Sequence, residues 1–472
     1  MKKNTNRLYW MAVCAAVMLA GCAKDFTVQT PKDSVPLDQA LNTVSALNNA
    51  LDGVYAQLRS VGIYGRDYLV LGDIQADNTY VEVRNSGRYL SQYNYSVTTG
   101  DGVVTEMWSA AYTGIQRANQ IINAKVTATG AAAVKAQAYA IRALLYFKLV
   151  NIFAKPYTDD PTALGVPIIL TYDPYVLPKR NTVKEVYTQI VADLQAAIKD
   201  APDYTNSVHL SKYAAEALLA RVYLYMGDNT NAETAAVDVI NNSGFTLATP
   251  TDLAAFWANP AIQSNQEEVM FEVDADAINN NGYDDVAGIY VNGYQDLYAS
   301  SGLYNLYTST DVRKSLMTPG VTKSGAAAYL VYKFPNALNA DRDNLKVIRL
   351  AEVYLIAAEA ALPANEGAAL TYLNTLVSQR DPGLVYSSTG SQLLTDIVNE
   401  RRKELAFEGD RFYDLNRLKK SITRKSNPGA IPAGQGNVNL SIAYPDTRRL
   451  APIPLSEIQA NANIAGQQNP GY

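Results

Sequence analysis

Residues 399–420 read NERRKELAFEGDRFYDLNRLKK, and the rest of the chain is best interpreted outward from them. Over 392–408, Leu393, Ile397 and Leu405 form an apolar stripe while Glu400, Glu404 and Glu408 recur every four residues. That spacing predicts a helix with one buried face and a row of acids. Gly409 ends it, and Arg401, Arg411, Asp414 and Arg417 are spaced to pair with the acids at i,i+3 or across the Gly409 turn. Two neighbouring glutamates are also what glycoside hydrolysis needs, one of them with a raised pKa. On one helix, flanked by arginines, Glu404 and Glu408 are instead held ionised. The segment is therefore expected to be an ion-paired scaffold with no catalytic residue.

Most of the surrounding chain carries a helical period. In 135–153 apolar residues recur at Ile141, Leu144, Leu145, Leu149 and Ile152. The pattern returns over 182–199, where Thr182 and Glu185 are spaced as a capping box. It returns again over 211–226, 232–240, 345–361 and 366–378. Residues 220–224 (ARVYL) and 351–355 (AEVYL) share a motif, and each begins a helix, polar turn, helix unit of tetratricopeptide type. The units are not tandem. The expected fold is mostly α: helix pairs over about 38–63, 105–240 and 345–420, with long insertions and a few short β-hairpins.

The insertions, 64–104 and 241–344, differ in composition. The chain has 33 Tyr against 9 Phe and 3 Trp, and twelve of the tyrosines fall within 64–95 and 283–307. Short β-like runs occur at 268–273 and 328–334. Rings with hydroxyls beside Asn, Asp and Arg suit a surface that stacks on a sugar and hydrogen-bonds its hydroxyls. Trp108 and Trp257 are expected in the core, one at the start of a helical run and the other beside Phe256.

Composition removes other classes of function. His209 is the single histidine, which excludes zinc and iron sites built on several. Lys2, Lys3 and Arg7 precede a 13-residue apolar run, 8–20, ending in Leu19-Ala20-Gly21-Cys22. The run is shorter than the ~20 residues of a spanning helix and suits a signal peptide over 1–21. Its end resembles a lipoprotein lipobox, making Cys22 the site of lipidation. The other cysteine, Cys14, leaves with the signal, so neither a disulfide nor a thiol nucleophile is expected. The signal holds +3 of a net charge of −5, which leaves −8 and no basic block for nucleic acid. Residues 22–37 read as a tether, and 38–472 as one body.

Segment 399–420, the C-terminal 450–461 (LAPIPLSEIQAN) and the closing QNPGY at 468–472 resemble the hallmarks of the SusD/RagB family of outer-membrane nutrient-binding lipoproteins. The lipobox, the helices at 135–153 and 211–226, residues 349–360 and Trp108…Tyr112…Asn119 follow in that family's order. The resemblance implies an outer-membrane lipoprotein, read as facing outward from Lys24-Asp25, that captures oligosaccharide without cleaving it. It also implies a SusC-like TonB-dependent β-barrel transporter as partner; the RagB branch would make the ligand a peptide. Family ligand sites lie in loops like 64–104 and 283–307, so the expected contacts are Asp77, Arg84, Arg88, Tyr93, Tyr95, Tyr290, Tyr294 and Tyr298. No cofactor is expected, although Asp284-Asp285 and nearby Asn side chains offer oxygens to a calcium ion without a loop pattern.

Overall fold

The computed structural model describes residues 40–173, 175–432 and 440–472. The signal segment, Cys22 and the tether to residue 37 lie outside these residues. Helices dominate: α1 (Val44–Leu58), α2 (Asp67–Ile74), α3 (Gly102–Asn123), α4 (Ala131–Phe153), α5 (Val183–Asp200), α6 (Lys212–Met226) and α7 (Asn229–Asn242) fill the first half. The second half adds α8 (Leu350–Ala361), α9 (Glu366–Ser378), α10 (Gly390–Glu404) and α11 (Arg411–Arg417).

Local chemistry sets the ends of these helices. Thr182 accepts from the Glu185 amide while Glu185 accepts from the Thr182 amide, the expected capping box. Asp101 accepts from the amides of Val103 and Val104 to start α3, and Gly227, left-handed at φ 74°, ends α6. Helix α4 is buried on nearly every side, as its all-round Ala, Leu and aromatic content requires. It packs between α3 and α5, and the series continues α5 on α6, α6 on α7, α7 on α8, and α8 on α9 and α10. The two hairpins that share a sequence motif therefore stack directly, although the 241–344 insertion separates them. Matched positions of the motif bind each other: Arg221 Nε donates to Glu352 Oε1 at 2.9 Å and Nη2 to Oε2 at 2.5 Å.

Residues 345–361 are not one helix. Leu345–Arg349 is a strand, β6, antiparallel to β2 (Val269–Val273), and the helix begins only at Leu350. Val347 and Ile348, stiff at χ1, take the pleated conformation once a partner strand is present. Nor is 64–104 a loop throughout, since all eight residues of α2 are buried.

The acids of 399–408 do form a scaffold, but with different partners from those expected. Glu404 accepts from Arg313 at 3.0 Å, Arg349 at 2.8 Å and Arg380 at 3.1 Å, and Glu408 from Arg349 and from Lys333 at 2.7 Å. Arg401 does reach Asp414 across the turn at 3.2 Å, and Arg417 holds Asp414 and Glu359. Burial alone would raise the Glu404 carboxyl, but Arg380, Arg349 and Arg313 outweigh it and hold it well below the usual range. Gly409 sits at φ 84°, where its carbonyl passes Gly72 of α2 so closely that a Cβ on Gly72 would lie 1.8 Å away.

Candidate functional site

A four-stranded sheet of order β1-β3-β5-β4 joins the two insertions. It comprises β1 (Thr79–Val81), β3 (Leu297–Ala299), β4 (Met317–Val321) and β5 (Ala327–Val331). Thr79, Tyr80 and Val81 pair with Ala299, Tyr298 and Leu297. This register brings residues 82–88, just after β1, beside residues 283–296, just before β3.

Several bonds fasten that junction. Asp296, fully buried, accepts from the Ser86 amide at 2.9 Å, from the Ser86 hydroxyl, and from Lys323 at 3.0 Å. Asn85 accepts from the Gly87 amide at 2.8 Å, a two-residue side-chain turn that sends Arg88 outward. The Arg88 guanidinium lies 3.3 Å from the centre of the Tyr294 ring and donates to Ser86 Oγ at 3.1 Å. Tyr294 donates its hydroxyl to Asp284 Oδ1 at 3.0 Å. The same oxygen accepts from Arg66 at 3.0 Å and lies 3.6 Å from Arg88. Arg66 is in turn held by Asp67 at 2.9 Å, and Tyr89 donates to that carboxylate from below.

Three donors thus converge on Oδ1 of Asp284. Among the described residues nothing bonds Oδ2, although half of the side chain is exposed. Beside it Tyr283 is 58% exposed, its ring laid against Gly293, and a Cβ on Gly288 would lie 2.0 Å from the Tyr283 carbonyl. A side chain at Gly293 would approach the ring, and one at Gly288 would meet the Tyr283 backbone. The result is an open ring, a fixed guanidinium and a carboxylate with a free acceptor, all on one rim.

Three of the eight expected ligand contacts belong here or beside it. Arg88 and Tyr294 are in the cluster, and Arg84 is exposed nearby with one long bond to the Lys323 carbonyl at 3.4 Å. Of the other five, the four tyrosines are buried and Asp77 is largely buried and held by arginines. Tyr290 is fully buried, stacked on Phe334 and edge-on to Phe407; Tyr298 is fully buried against Tyr80. Tyr93 and Tyr95 pack beneath Arg424, and the Tyr95 hydroxyl donates to the Gln75 carbonyl. Asp77 is taken by Arg411 at 2.8 Å and Arg402 at 3.2 Å. Burial would raise its carboxyl, but these two guanidiniums hold it below the usual range.

Tyr283 and Asp284 belong to this cluster and lie in the 283–307 loop, but the sequence reading did not single them out as ligand contacts. Their signal is position: they crown a run of turn formers, Asn279 to Gly282. Asn280 serves the turn, accepting from the Gly282 amide at 3.0 Å, while Asn281 donates to the Arg59 carbonyl at 2.8 Å. Of the oxygens considered for calcium, those of Asp285 and Oδ1 of Asp284 have partners, while Asp284 Oδ2 has none among the described residues. Asp285 caps Gly288 at 2.7 Å and faces Arg342 at 3.8 Å, and Asp284 is shared between arginines. Trp108 and Trp257 are core residues, as expected, the first edge-on to Phe153 at 4.9 Å. His209 is half-buried against Tyr55 and bonded to Asn206 at 2.9 Å.

Fold and site together define a helical-repeat scaffold that carries a surface platform of aromatic and charged side chains. A profile described as starch-binding and associating with the outer membrane matches residues 29–224, and the SusD family profile matches 318–472. "SusD-like protein P2" of Formosa agariphila is 31% identical over 96% of this chain and 97% of its own. A SusD superfamily structure from Bacteroides thetaiotaomicron superposes with a TM-score of 0.83 at 30% identity, covering 91% of this chain and all of the other. Another from Bacteroides vulgatus gives 0.84 at 29% identity, covering 91% and 99%. The chain belongs to the SusD/RagB family, whose proteins are named for binding and associate with the outer membrane. No helix among the described residues is long and apolar enough to cross a membrane.

Proposed function

We propose that this protein is an outer-membrane lipoprotein, anchored through Cys22, that captures oligosaccharides at the cell exterior. It delivers them to a SusC-like TonB-dependent β-barrel transporter and breaks no bond itself. The observation that carries this reading is the Tyr283 ring, open to solvent beside the Asp284 oxygen that no side chain uses. A pyranose stacked on Tyr283 would turn its C–H face to the ring and a hydroxyl to Asp284 Oδ2, while Arg88 donates to a neighbouring oxygen. Arg66, Ser86 and Tyr294 hold those groups before ligand arrives, which reduces the ordering cost of binding. The site needs no cofactor.

The test is a glycan and peptide array probed with the soluble form that starts after Cys22, followed by calorimetry on the best ligand. Tyr283→Ala is expected to weaken glycan affinity roughly tenfold, the scale of one lost ring contact, with the melting temperature unchanged. Unchanged affinity places the site elsewhere. Binding to peptides alone makes the ligand a peptide, and release of reducing ends at enzyme-like rates refutes a purely binding role.

A further inference from the structure

Arg84, Arg88 and Lys323 meet around Tyr294. The Arg88 guanidinium lies 3.3 Å from the ring centre, Lys323 Nζ donates to the Tyr294 carbonyl at 2.6 Å, and Arg84 Nη1 donates to the Lys323 carbonyl at 3.4 Å. The backbone that carries them is fixed. Glu82, fully buried, accepts from the Arg84 amide and, at 3.0 Å, from the Ser324 amide, which ties the turn after β1 to the turn between β4 and β5. Lys323 donates its own amide to the Tyr298 hydroxyl at 3.2 Å. Lys323 has an acid partner in Asp296 at 3.0 Å, and Arg88 has one in Asp284 at 3.6 Å. Arg84 is exposed, and among the described residues no carboxylate lies within ion-pair distance of its guanidinium. Its Nε and Nη2 bond nothing among those residues, while the Glu82 carboxylate is taken up by backbone amides.

We infer that the oligosaccharide captured here carries an anionic substituent, a carboxylate or a sulfate ester, and that Arg84 is the residue that selects it. The inference rests on the glycan-binding reading above and names the chemistry of that ligand. A sugar hydroxyl is served equally well by an amide or a hydroxyl. An arginine fork offers parallel N–H groups, a geometry that matches the paired oxygens of a carboxylate or a sulfate. Arg84 holds such a fork in solvent, without a partner and beside a second cation. The acids of the junction lie behind the cations: Asp296 and Glu82 are fully buried, and Asp284 gives Oδ1 to Arg66. Tyr294 sets the spacing. Its carbonyl takes Lys323 and its hydroxyl goes to Asp284, so the cations Arg84 and Lys323 and the free Asp284 oxygen sit at opposite ends of one side chain. The two ends read different groups, a hydroxyl at Asp284 and an anion at Arg84. Charge complementarity of this kind sets specificity more than raw affinity.

The test probes the soluble form with matched pairs on a glycan array: uronate-bearing oligosaccharides beside their carboxyl-reduced counterparts, and sulfated ones beside their desulfated counterparts. The charged member is expected to bind roughly tenfold tighter, the scale of a hydrogen bond to a charged group, and its advantage to shrink as salt is raised. Preference confined to uronates makes the substituent a carboxylate; preference confined to sulfated members makes it a sulfate ester. Arg84→Gln is expected to reduce the charged-to-neutral affinity ratio roughly tenfold at an unchanged melting temperature, since its guanidinium is exposed and has no acid partner. Tyr283→Ala should instead weaken both members of a pair together, so ring and anion are read separately. Neutral glycans bound as tightly as charged ones overturn the inference and leave glycan capture standing. A charge preference that survives Arg84→Gln overturns it too, because the anion is then held elsewhere. An array on which no glycan binds refutes the glycan reading itself, and this inference with it.

Discussion

Glu404→Gln keeps the shape of the side chain and removes one charge from the centre of the protein. Glu404 is 2% exposed at its side chain and receives three guanidiniums within 3.1 Å. Removing one partner of a buried ion pair typically costs about 3–5 kcal/mol, because the opposite charge is left uncompensated. Here the three arginines keep other acids: Arg313 keeps Asp311 and Glu400, Arg349 keeps Glu268 and Glu408, and Arg380 keeps Glu268. The lower end, about 3 kcal/mol, is therefore expected. With unfolding entropy near ~2.1 cal/mol/K per residue, a chain of this length should lose roughly 3 °C in melting temperature.

The assay is urea unfolding followed by circular dichroism, with glycan affinity measured alongside. Acid strengthens the test. A carboxyl held low in the folded state contributes stability above its unfolded pKa, and the contribution disappears as pH falls toward the folded value. Stability of the unmodified protein should fall as pH drops below ~4, and the variant should show a shallower fall. A loss under ~1 kcal/mol with the same acid profile refutes the scaffold role. Loss of a glycan-cleaving activity at unchanged stability would make Glu404 catalytic.

Two further outcomes follow from the same region. Gly409→Ala should destabilise by several kcal/mol or prevent folding, because its Cβ would lie 2.2 Å from the Tyr68 carbonyl at φ 84°; urea unfolding or soluble yield measures it, and a near-neutral effect would show that α2 and the Gly409 turn can separate. Burial pushes the Asp73 carboxyl up to about 7, against bonds from Asn78 and the Gly409 amide. A raised folded pKa gives stability that is full below the unfolded value and is lost as pH rises through the folded one. Unfolding free energy should therefore decline between pH ~4 and 7, and Asp73→Asn should remove that slope; an unchanged slope assigns the titration to another group.

The helical half of the molecule was legible because long helices carry a long signal. Helix α5 begins and ends within a residue of its periodic pattern, and α9 matches residue for residue. Residues 345–349 failed for want of a partner: nothing local distinguishes the end of a helix from a strand that pairs with residues 269–273. Tyr290 and Tyr298 failed for a related reason. The first lies in the five-residue helix Val286–Tyr290 and the second in a three-residue strand buried on both faces, so neither shows a period. Their place beside Asn and Gly suggested exposure, yet those residues were spent on turns. The partners of Glu404 were invisible to helix spacing because Arg313, Arg349 and Arg380 arrive from 91, 55 and 24 residues away.

The same long-range closure holds the Arg88, Tyr294 and Asp284 cluster in place. Arg88 and Tyr283 lie on surface loops, and loops alone hold side chains loosely. Here both loops adjoin paired strands, and Asp296, fully buried, fixes Ser86 and Lys323. Asp67 does the same for Arg66, and through it for Asp284. The exposed groups thus rest on buried charges that are already satisfied, a supporting shell that holds their geometry. On the glycan-binding reading proposed above, the loops can change their crest residues, and with them the sugar recognised, while the strand pairing and the buried carboxylates stay in place.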